Sequence, residues 1–582
     1  MGKLLLCSDN NRYNKLDKMF KMNFEKSYEY IQAQFNLCVY HKLRLKNENY
    51  YEAGNEFIVG TGTYIYKNSI AVDALKQIFE DYDYQFDKND IVGSFAIGIL
   101  KNGKFSLFID SGSTYDIYYS LKNNEIIISN TIYHAACVKD SNEFNYDDIL
   151  ALSLCGVYPG NETFCKEIYR LSGLQTIKYE NGIWAVEEED YRSYNLTDKH
   201  IWERMREKTG QLDTIFNKAG MFMTGGQDSR LYLSLMLNLG LNPTLYYGRG
   251  NSLNTCTKKD DEEIVREIAD KMKLPLEYMN WDENEYEGGA QKYIDKYGEL
   301  YSIYRFNKNV LREFEEKIDC ELLCFGYFGE MYRNVETITD FDKEVYTLNE
   351  YIDEIYLPAI LQRVCTDYAK LRRRIYDGLL KIAKCKNIDP NRMEKGDFIK
   401  LNVCYRYRAD MKMNNLANLF CYSVPFFGDG EIVSVLENVN YHDKDNSKFL
   451  MQGIYFYQPE LTEIPFFSHI KRKELDKTTF ELIDKNTVSK YKDRIRKRVS
   501  NEHLLRILRK IYYVIVNDDK GKKELEQEFS EKKKYTDKMV QVDWLRTKEE
   551  AIFEKLENRI LETIFLYDEV LKEIERQDHH KV

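Results

Sequence analysis

The sequence predicts a mixed α/β fold in three successive parts, on three observations. Residues 1–190 carry short apolar runs separated by turn residues, a β-rich pattern. From about residue 200, short apolar strands alternate with helical segments, which implies a parallel sheet with helices on both faces. From about 345 the chain reads as nearly all helical, and from 470 it becomes charged and rich in Lys and Glu. At 582 residues it is too long for one core, so roughly two to four domains are expected.

In the first part, residues 58–66 read as strand and turn. Short strands follow at 93–100, 105–110, 117–120 and 125–129. Turn residues such as Lys101-Asn102-Gly103-Lys104 separate some of them. Helical patterns interrupt at 71–82 and 146–152, and residues 173–191 read as a hairpin turning at Glu180-Asn181-Gly182. In the second part, strands are expected at 221–223, 244–247, 276–279 and 322–325, with helices at 231–239 and 261–272.

Composition narrows the function. A net charge of −11 argues against general nucleic-acid binding, which needs a basic footprint. No run approaches the roughly 20 apolar residues of a membrane span. The first nine residues lack the long apolar region and cleavage site of a secretory signal. The 12 Cys show no repeated spacing, Cys320 and Cys324 being the one close pair, and the 8 His include no His-Glu-x-x-His. Reduced, mostly buried thiols and a cytoplasmic location are expected.

The most informative stretch is Met221-Phe222-Met223-Thr224-Gly225-Gly226-Gln227-Asp228-Ser229-Arg230. An apolar strand runs into a small Gly-rich turn and then into an apolar helix. Such a turn suits phosphate: glycines admit close approach, N–H groups face the anion, and the helix dipole favours negative charge. It carries no Lys, so it is not a Walker A loop. Asp228 sits where a carboxylate can hold Mg2+ against the phosphates of ATP, and the hydroxyls of Thr224 and Ser229 can donate to phosphate oxygens. The plainer alternative is a strand–helix turn capped by Asp or Ser.

Three further stretches belong with it. Leu245-Tyr246-Tyr247-Gly248 ends the next strand. Ligands of such sheets lie at the carboxyl ends of strands, so Tyr247 and Gly248 are candidate adenine contacts; a plain core strand fits equally well. Cys324-Phe325-Gly326-Tyr327-Phe328-Gly329-Glu330-Met331-Tyr332-Arg333 ends a strand in a glycine-spaced turn. Glu330 is a candidate second Mg2+ ligand and Arg333 a partner for phosphate or carboxylate, against the alternative of a capped helix start. Pro425-Phe426-Phe427-Gly428-Asp429 reads as structural. Lys448 then opens a helix directed toward the site, where it would neutralise transition-state charge; a solvated surface Lys is the plainer reading.

These motifs, in this order, resemble the asparagine synthetase family, which includes β-lactam synthetases and lasso-peptide cyclases. The family's Ser-Gly-Gly-x-Asp-Ser loop is similar to residues 224–229. Its Ser-Gly-x-Gly-x-Asp-Glu loop is similar to 325–330, one residue shorter and with a single acid. Its Pro-Phe-Leu-Asp and Lys-x-x-Leu-Arg stretches are similar to 425–429 and 448–452. More diffusely, its glutaminase-like domain resembles residues 110–119 and 168–173. The resemblance covers about 50–470. It implies an Ntn-hydrolase-like α+β sandwich over 1–195, a doubly wound PP-loop ATP-pyrophosphatase domain over 196–470, and a helical extension over 471–582. It implies ATP and Mg2+ as cofactors, with Met223, Thr224, Gly225, Gly226, Gln227, Asp228, Ser229, Tyr247, Gly248, Phe325 and Gly326 around the nucleotide. Asp228 and Glu330 would hold the metal, and Asp228, Glu330 and Lys448 would serve catalysis.

One departure redirects the function. Glutamine-using members carry Cys after the initiator Met, and here residue 2 is Gly. Without that thiolate, glutamine hydrolysis is expected to fail. The expected activity is therefore adenylation of a small-molecule or peptide carboxylate, then acyl transfer to an amine or ammonia. The alternatives are asparagine synthetase proper and a non-catalytic scaffold. For the scaffold, residues 488–510 carry nine Lys or Arg against two acids, with apolar residues at helical spacing reaching Ile515. That makes 488–516 a candidate protein-partner or membrane-surface helix, although a solvated helix packed by one face is the plainer reading. A homodimer is compatible with the chain.

Overall fold

β1 (Lys3–Cys7) is an unbroken apolar run buried along its whole length, because it lies between two antiparallel neighbours and between two layers. The structure is a computed structural model. It describes residues 2–82, 86–140, 142–155, 160–189, 200–210, 212–249, 259–280, 308–334, 343–355, 357, 361–468, 471–483, 533, 536–553, 556 and 558–579.

Two antiparallel sheets build the first part. One contains β1, β2 (Lys26–Ile31), β3 (Asn36–Tyr40), β8 (Tyr118–Lys122), β9 (Glu125–Ser129) and β10 (Tyr169–Arg170), in the order β10-β8-β9-β1-β3-β2. The other contains β4 (Tyr50–Ala53), β5 (Glu56–Ile65), β6 (Val92–Lys101), β7 (Lys104–Ile109), β11 (Gln175–Glu180) and β12 (Ile183–Glu188), in the order β12-β11-β7-β6-β5-β4. Successive strand residues point to opposite faces. Leu4, Leu6, Leu37 and Val39 thus meet Val59, Phe105, Leu107 and Ile109 between the sheets. Leu5, Cys7 and Tyr40 face outward to the helices Asn10–Lys21 and Ile132–Val138. Ile58 and Ile97 share a core with the helix Ala71–Asp81. The result is a four-layer helix–sheet–sheet–helix sandwich.

The second part is a parallel sheet, as the alternation predicts. β13 (Ala219–Phe222), β14 (Thr244–Arg249), β15 (Leu276–Asn280) and β16 (Leu322–Cys324) lie in the order β15-β14-β13-β16. Met221, Leu245, Tyr247 and Cys324 pack with the helices Asp228–Asn238 and Lys259–Met272. Phe222, Tyr246 and Leu323 pack with Phe314 and with the helix Lys412–Phe420 on the other face. The chain builds β13, β14 and β15 to one side and returns to β16 on the far side of β13. The strand order therefore reverses between β13 and β16, which opens a crevice at their carboxyl ends.

Beyond 345 the chain is helical as expected, apart from a two-residue ladder between β17 (Val345–Tyr346) and β18 (Met393–Glu394). The expectation of a helical extension from 471 needs correction. β19 (Phe466–Ser468), β20 (Lys471–Asp476) and β21 (Glu481–Ile483) form an antiparallel sheet. In the helix Asn558–His579, Tyr567, Val570, Leu571 and Ile574 pack in the core outside the first sheet, so this end of the chain docks on the sandwich. The basic segment at 488–516 lies outside the described residues. No described helix is long and apolar enough to cross a membrane.

A buried polar array joins the two parts. Thr63 donates to Asn418 Oδ1 at 2.6 Å, Asn414 to Ser94 at 2.9 Å, and Asn415 to Asp116 at 3.0 Å. Lys42 Nζ donates to the Asn418 carbonyl at 2.6 Å beneath the Tyr422 ring. Burial pushes the Lys42 ammonium down to about 7. Lys444, whose Nζ donates to the Leu436 carbonyl, is pushed down to about 7 by the same cause. An unfolded Lys titrates near about 10.4, so between these values the unfolded chain binds more protons. Stability should therefore rise with pH from about 7 to about 10, and this contribution is lost as pH falls through 7. Thermal melts across that range should show a rising Tm, with a flatter slope in the double variant Lys42→Met/Lys444→Met.

Candidate active site

The turn after β13 is fixed by its own hydroxyls. Met223 N–H still donates to the Tyr246 carbonyl at 2.9 Å, after which the chain leaves the sheet. Ser229 Oγ lies 3.0 Å from Thr224 Oγ1 and 3.1 Å from the Thr224 carbonyl, and Gly226 N–H donates to Thr224 Oγ1 at 3.2 Å. Gly225 N–H donates to Asp261 Oδ1 at 2.9 Å, and the Tyr247 hydroxyl holds the other Asp261 oxygen at 3.0 Å. The helix Asp228–Asn238 starts at this turn. Its first N–H groups have no intrahelical acceptor and its dipole favours an anion there.

The turn after β16 is pressed against it. A Cβ on Gly326 would lie 2.6 Å from Ser229 N, and one on Gly329 would lie 2.2 Å from Asp228 Cβ. Only glycine permits that approach. Phe328 between them is left-handed (φ 64°), a costly conformation for a bulky residue. The 3₁₀ turn Gly329–Tyr332 then carries Glu330, half-buried, one residue after the Gly329 contact with Asp228. Gly329→Ala should force the turns apart and destabilise the chain by about 1–3 kcal/mol, read as a lower denaturation midpoint. An unchanged midpoint would show that the contact is relieved locally.

Arg333 forks onto Asp228, Nε to Oδ1 and one Nη to Oδ2, both at 2.9 Å. Asn334, next in sequence, donates its amide to the Tyr441 carbonyl at 2.9 Å and to Asp445 at 2.5 Å. This ties the second turn to the segment before Lys448. Asn446 and Ser447 are both left-handed (φ 50° and 63°), which lets the helix Lys448–Tyr457 start abruptly. That helix packs on Asp228–Asn238 and on the 329–332 turn. Lys448 is half-buried, and among the described residues its Nζ makes no hydrogen bond or ion pair.

The structure thus brings Thr224, Gly225, Gly226, Gln227, Asp228, Ser229 and Gly326 together, with Glu330 on the abutting turn and the Lys448 helix alongside. The remaining expected contact residues sit as follows. The Phe325 ring stacks on Phe222 at 5.1 Å within the core, so only its backbone faces the turn. Met223 is core, Tyr247 anchors Asp261, and Gly248 sits opposite Met279 in the ladder. Asp429 caps the helix Gly430–Leu436 and pairs with buried Lys208 at 2.8 Å.

Two elements carry no local sequence signal. Phe467 N–H donates to the Gly225 carbonyl at 2.8 Å, and Gln227 Nε2 reaches Ser468 Oγ at 3.3 Å, so β19 lies directly on the turn. Arg230 is fully buried beneath it and donates to the carbonyls of Gly225, Leu461, Ile464 and Pro465. Its position directly after the motif is the one hint the sequence offers.

These residues fit ATP and Mg2+ in kind. Mg2+ needs one or two carboxylates plus phosphate oxygens, which Asp228 and Glu330 would supply. No cluster of three or more His, Cys, Asp or Glu forms a complete cage among the described residues. Arg333 holds both Asp228 oxygens and competes for them. At the start of the chain, a Cβ on Gly2 would lie 2.4 Å from the His41 carbonyl. Cys7 is fully buried, which pushes its thiol far up, so neither position offers a nucleophile.

No family model and no curated protein matches this sequence. Among solved structures, a glutamine phosphoribosylpyrophosphate amidotransferase from B. subtilis, complexed with ADP and GMP, is similar over 58% of this chain and 78% of its own, at 8% identity and a TM-score of 0.23. A structure described as the allosteric regulatory enzyme of purine biosynthesis is similar over 58% and 76%, at 7% identity and a TM-score of 0.22. Similarity at that level does not define a shared fold.

Proposed function

We propose that the chain is an ATP-dependent amide-bond synthetase of the asparagine synthetase type, without glutaminase activity of its own. One observation carries this reading. The 224–229 and 325–333 turns abut at the carboxyl ends of β13 and β16, where the strand order reverses. That crevice is where parallel sheets take nucleotides.

In this reading ATP is a substrate. A substrate carboxylate attacks its α-phosphorus, pyrophosphate leaves, an amine attacks the acyl carbon, and AMP leaves. The first-turn N–H groups and the Thr224 and Ser229 hydroxyls would hold the departing pyrophosphate, and Lys448 would offset charge at phosphorus. Mg2+, held by Asp228 and Glu330, would neutralise phosphate charge. The buried Cys7 and the absence of space at Gly2 support ammonia or a substrate amine, rather than glutamine, as the nitrogen source.

ATP–pyrophosphate exchange across a panel of carboxylic acids tests the reading. Acid-dependent exchange is expected, with AMP formed once ammonia or an amine is added and no glutamate released from glutamine. Absence of exchange with every acid would reject adenylation and favour a non-catalytic scaffold.

A further inference from the structure

At one end of the sandwich the hairpin turns β2–β3, β4–β5, β6–β7 and β11–β12 meet around a cavity of about 760 Å³. It shares no residue with the 224–229 turn, so a ligand bound here would be independent of the proposed activity. The size suits a small ligand of a few rings. Phe35 and Phe57 close its floor, both buried. Half-buried Tyr30 from one sheet and Tyr179 from the other line its walls, and Tyr179 helps to push the Tyr30 phenol up after burial itself.

The rim is made of carboxamides. Gln32, Gln34, Asn55 and Asn181 line it, all exposed, and their side-chain amides make no hydrogen bond among the described residues. Each such group donates and accepts at once, as a hydroxyl does. The two carboxylates present are already engaged: Glu56 accepts from Asn102 N–H at 2.6 Å, and Glu52 from the Tyr28 hydroxyl. Among the described residues no Lys or Arg lines the cavity, which disfavours phosphate or carboxylate ligands.

From this juxtaposition of tyrosine faces, free carboxamides and absent cations, we propose that the cavity binds a neutral oligosaccharide. The aromatic faces would take the C–H faces of the sugar rings, and the rim amides would read the hydroxyls.

Trp184 supplies the readout, because its ring lies 4.8 Å from Tyr179 and 5.4 Å from Phe35. The full chain should be screened on an array of neutral, acidic and sulfated glycans and of peptides. Maltotriose and chitotriose are then titrated by tryptophan fluorescence, with Trp184→Phe as the signal control. We expect saturable binding of at least one neutral trisaccharide, weakened about tenfold or more by Tyr30→Ala and by Tyr179→Ala. Gln34→Ala and Asn55→Ala, both at exposed positions, carry the test should a tyrosine variant not fold. Binding confined to acidic glycans or peptides, no binding at all, or neutral binding indifferent to every variant would overturn the proposal.

Discussion

Asp228→Ala should abolish ATP–pyrophosphate exchange, by about a thousandfold or more, while leaving the chain folded. The carboxylate stands at the first position of the Asp228–Asn238 helix, against Gly329. Among the described residues its ion-pair partner is Arg333, and both side chains of the pair keep some solvent contact, so losing the pair costs about 1 kcal/mol. A structural role alone would make Arg333→Met equivalent, since that change breaks the same two hydrogen bonds. The proposed role predicts a split. Arg333→Met keeps the Asp228 carboxylate and releases it from its competitor, so exchange should persist and half-saturate at lower Mg2+. Equal losses in the two variants would reduce Asp228 to a structural ion pair. Melting both proteins, and measuring exchange across a Mg2+ series, separates these cases.

How much of the site is legible in the sequence depends on the range of the interactions that build it. The 224–229 turn, the Glu330 turn and the strands leading to them rest on local signals: glycines, caps and apolar runs. Their boundaries shift by a residue or two, as with β14, which ends at Arg249 rather than Tyr247. β1 and β3 lack a distinct signal because both are buried on two faces and show no alternation. The place of Phe325 at a strand end is legible, but the direction of its side chain is not, since that depends on stacking against Phe222, which in turn stacks on Phe314. The β20 run Lys-Arg-Lys-Glu-Leu-Asp reads as a charged surface helix in isolation. It becomes a strand because β19 and β21 pair with it, and β19 in turn docks on a turn about 240 positions earlier. The array between Lys42, Thr63 and Asn418 is likewise a product of tertiary contact.

Arg230→Met should be the most destabilising of the single changes considered, by about 3–5 kcal/mol. The side chain is fully buried and donates to Leu461 O at 3.2 Å, Ile464 O at 2.7 Å, Gly225 O at 3.2 Å and Pro465 O at 2.8 Å. Its guanidinium lies 3.8 Å from the centre of the Phe466 ring. Burial holds its pKa below the usual value, with only indirect support from Glu267 and Asp261. Met fills much of the volume but removes this donor from the Leu461, Ile464 and Pro465 carbonyls, each costing about 1 kcal/mol or more, while Gly225 O keeps Phe467 N–H. Lys cannot replace the planar fork either, so Arg230→Lys should recover little. Because Gly225 O also accepts from Phe467 N–H, the clamp joins the 224–229 turn to β19. Exchange per folded molecule should therefore fall together with the denaturation midpoint. A variant within about 1 kcal/mol of the parent would show that the Leu461, Ile464 and Pro465 carbonyls find other donors. A destabilised variant with full exchange per folded molecule would show instead that the turn keeps its shape through Thr224, Ser229 and Asp261 alone.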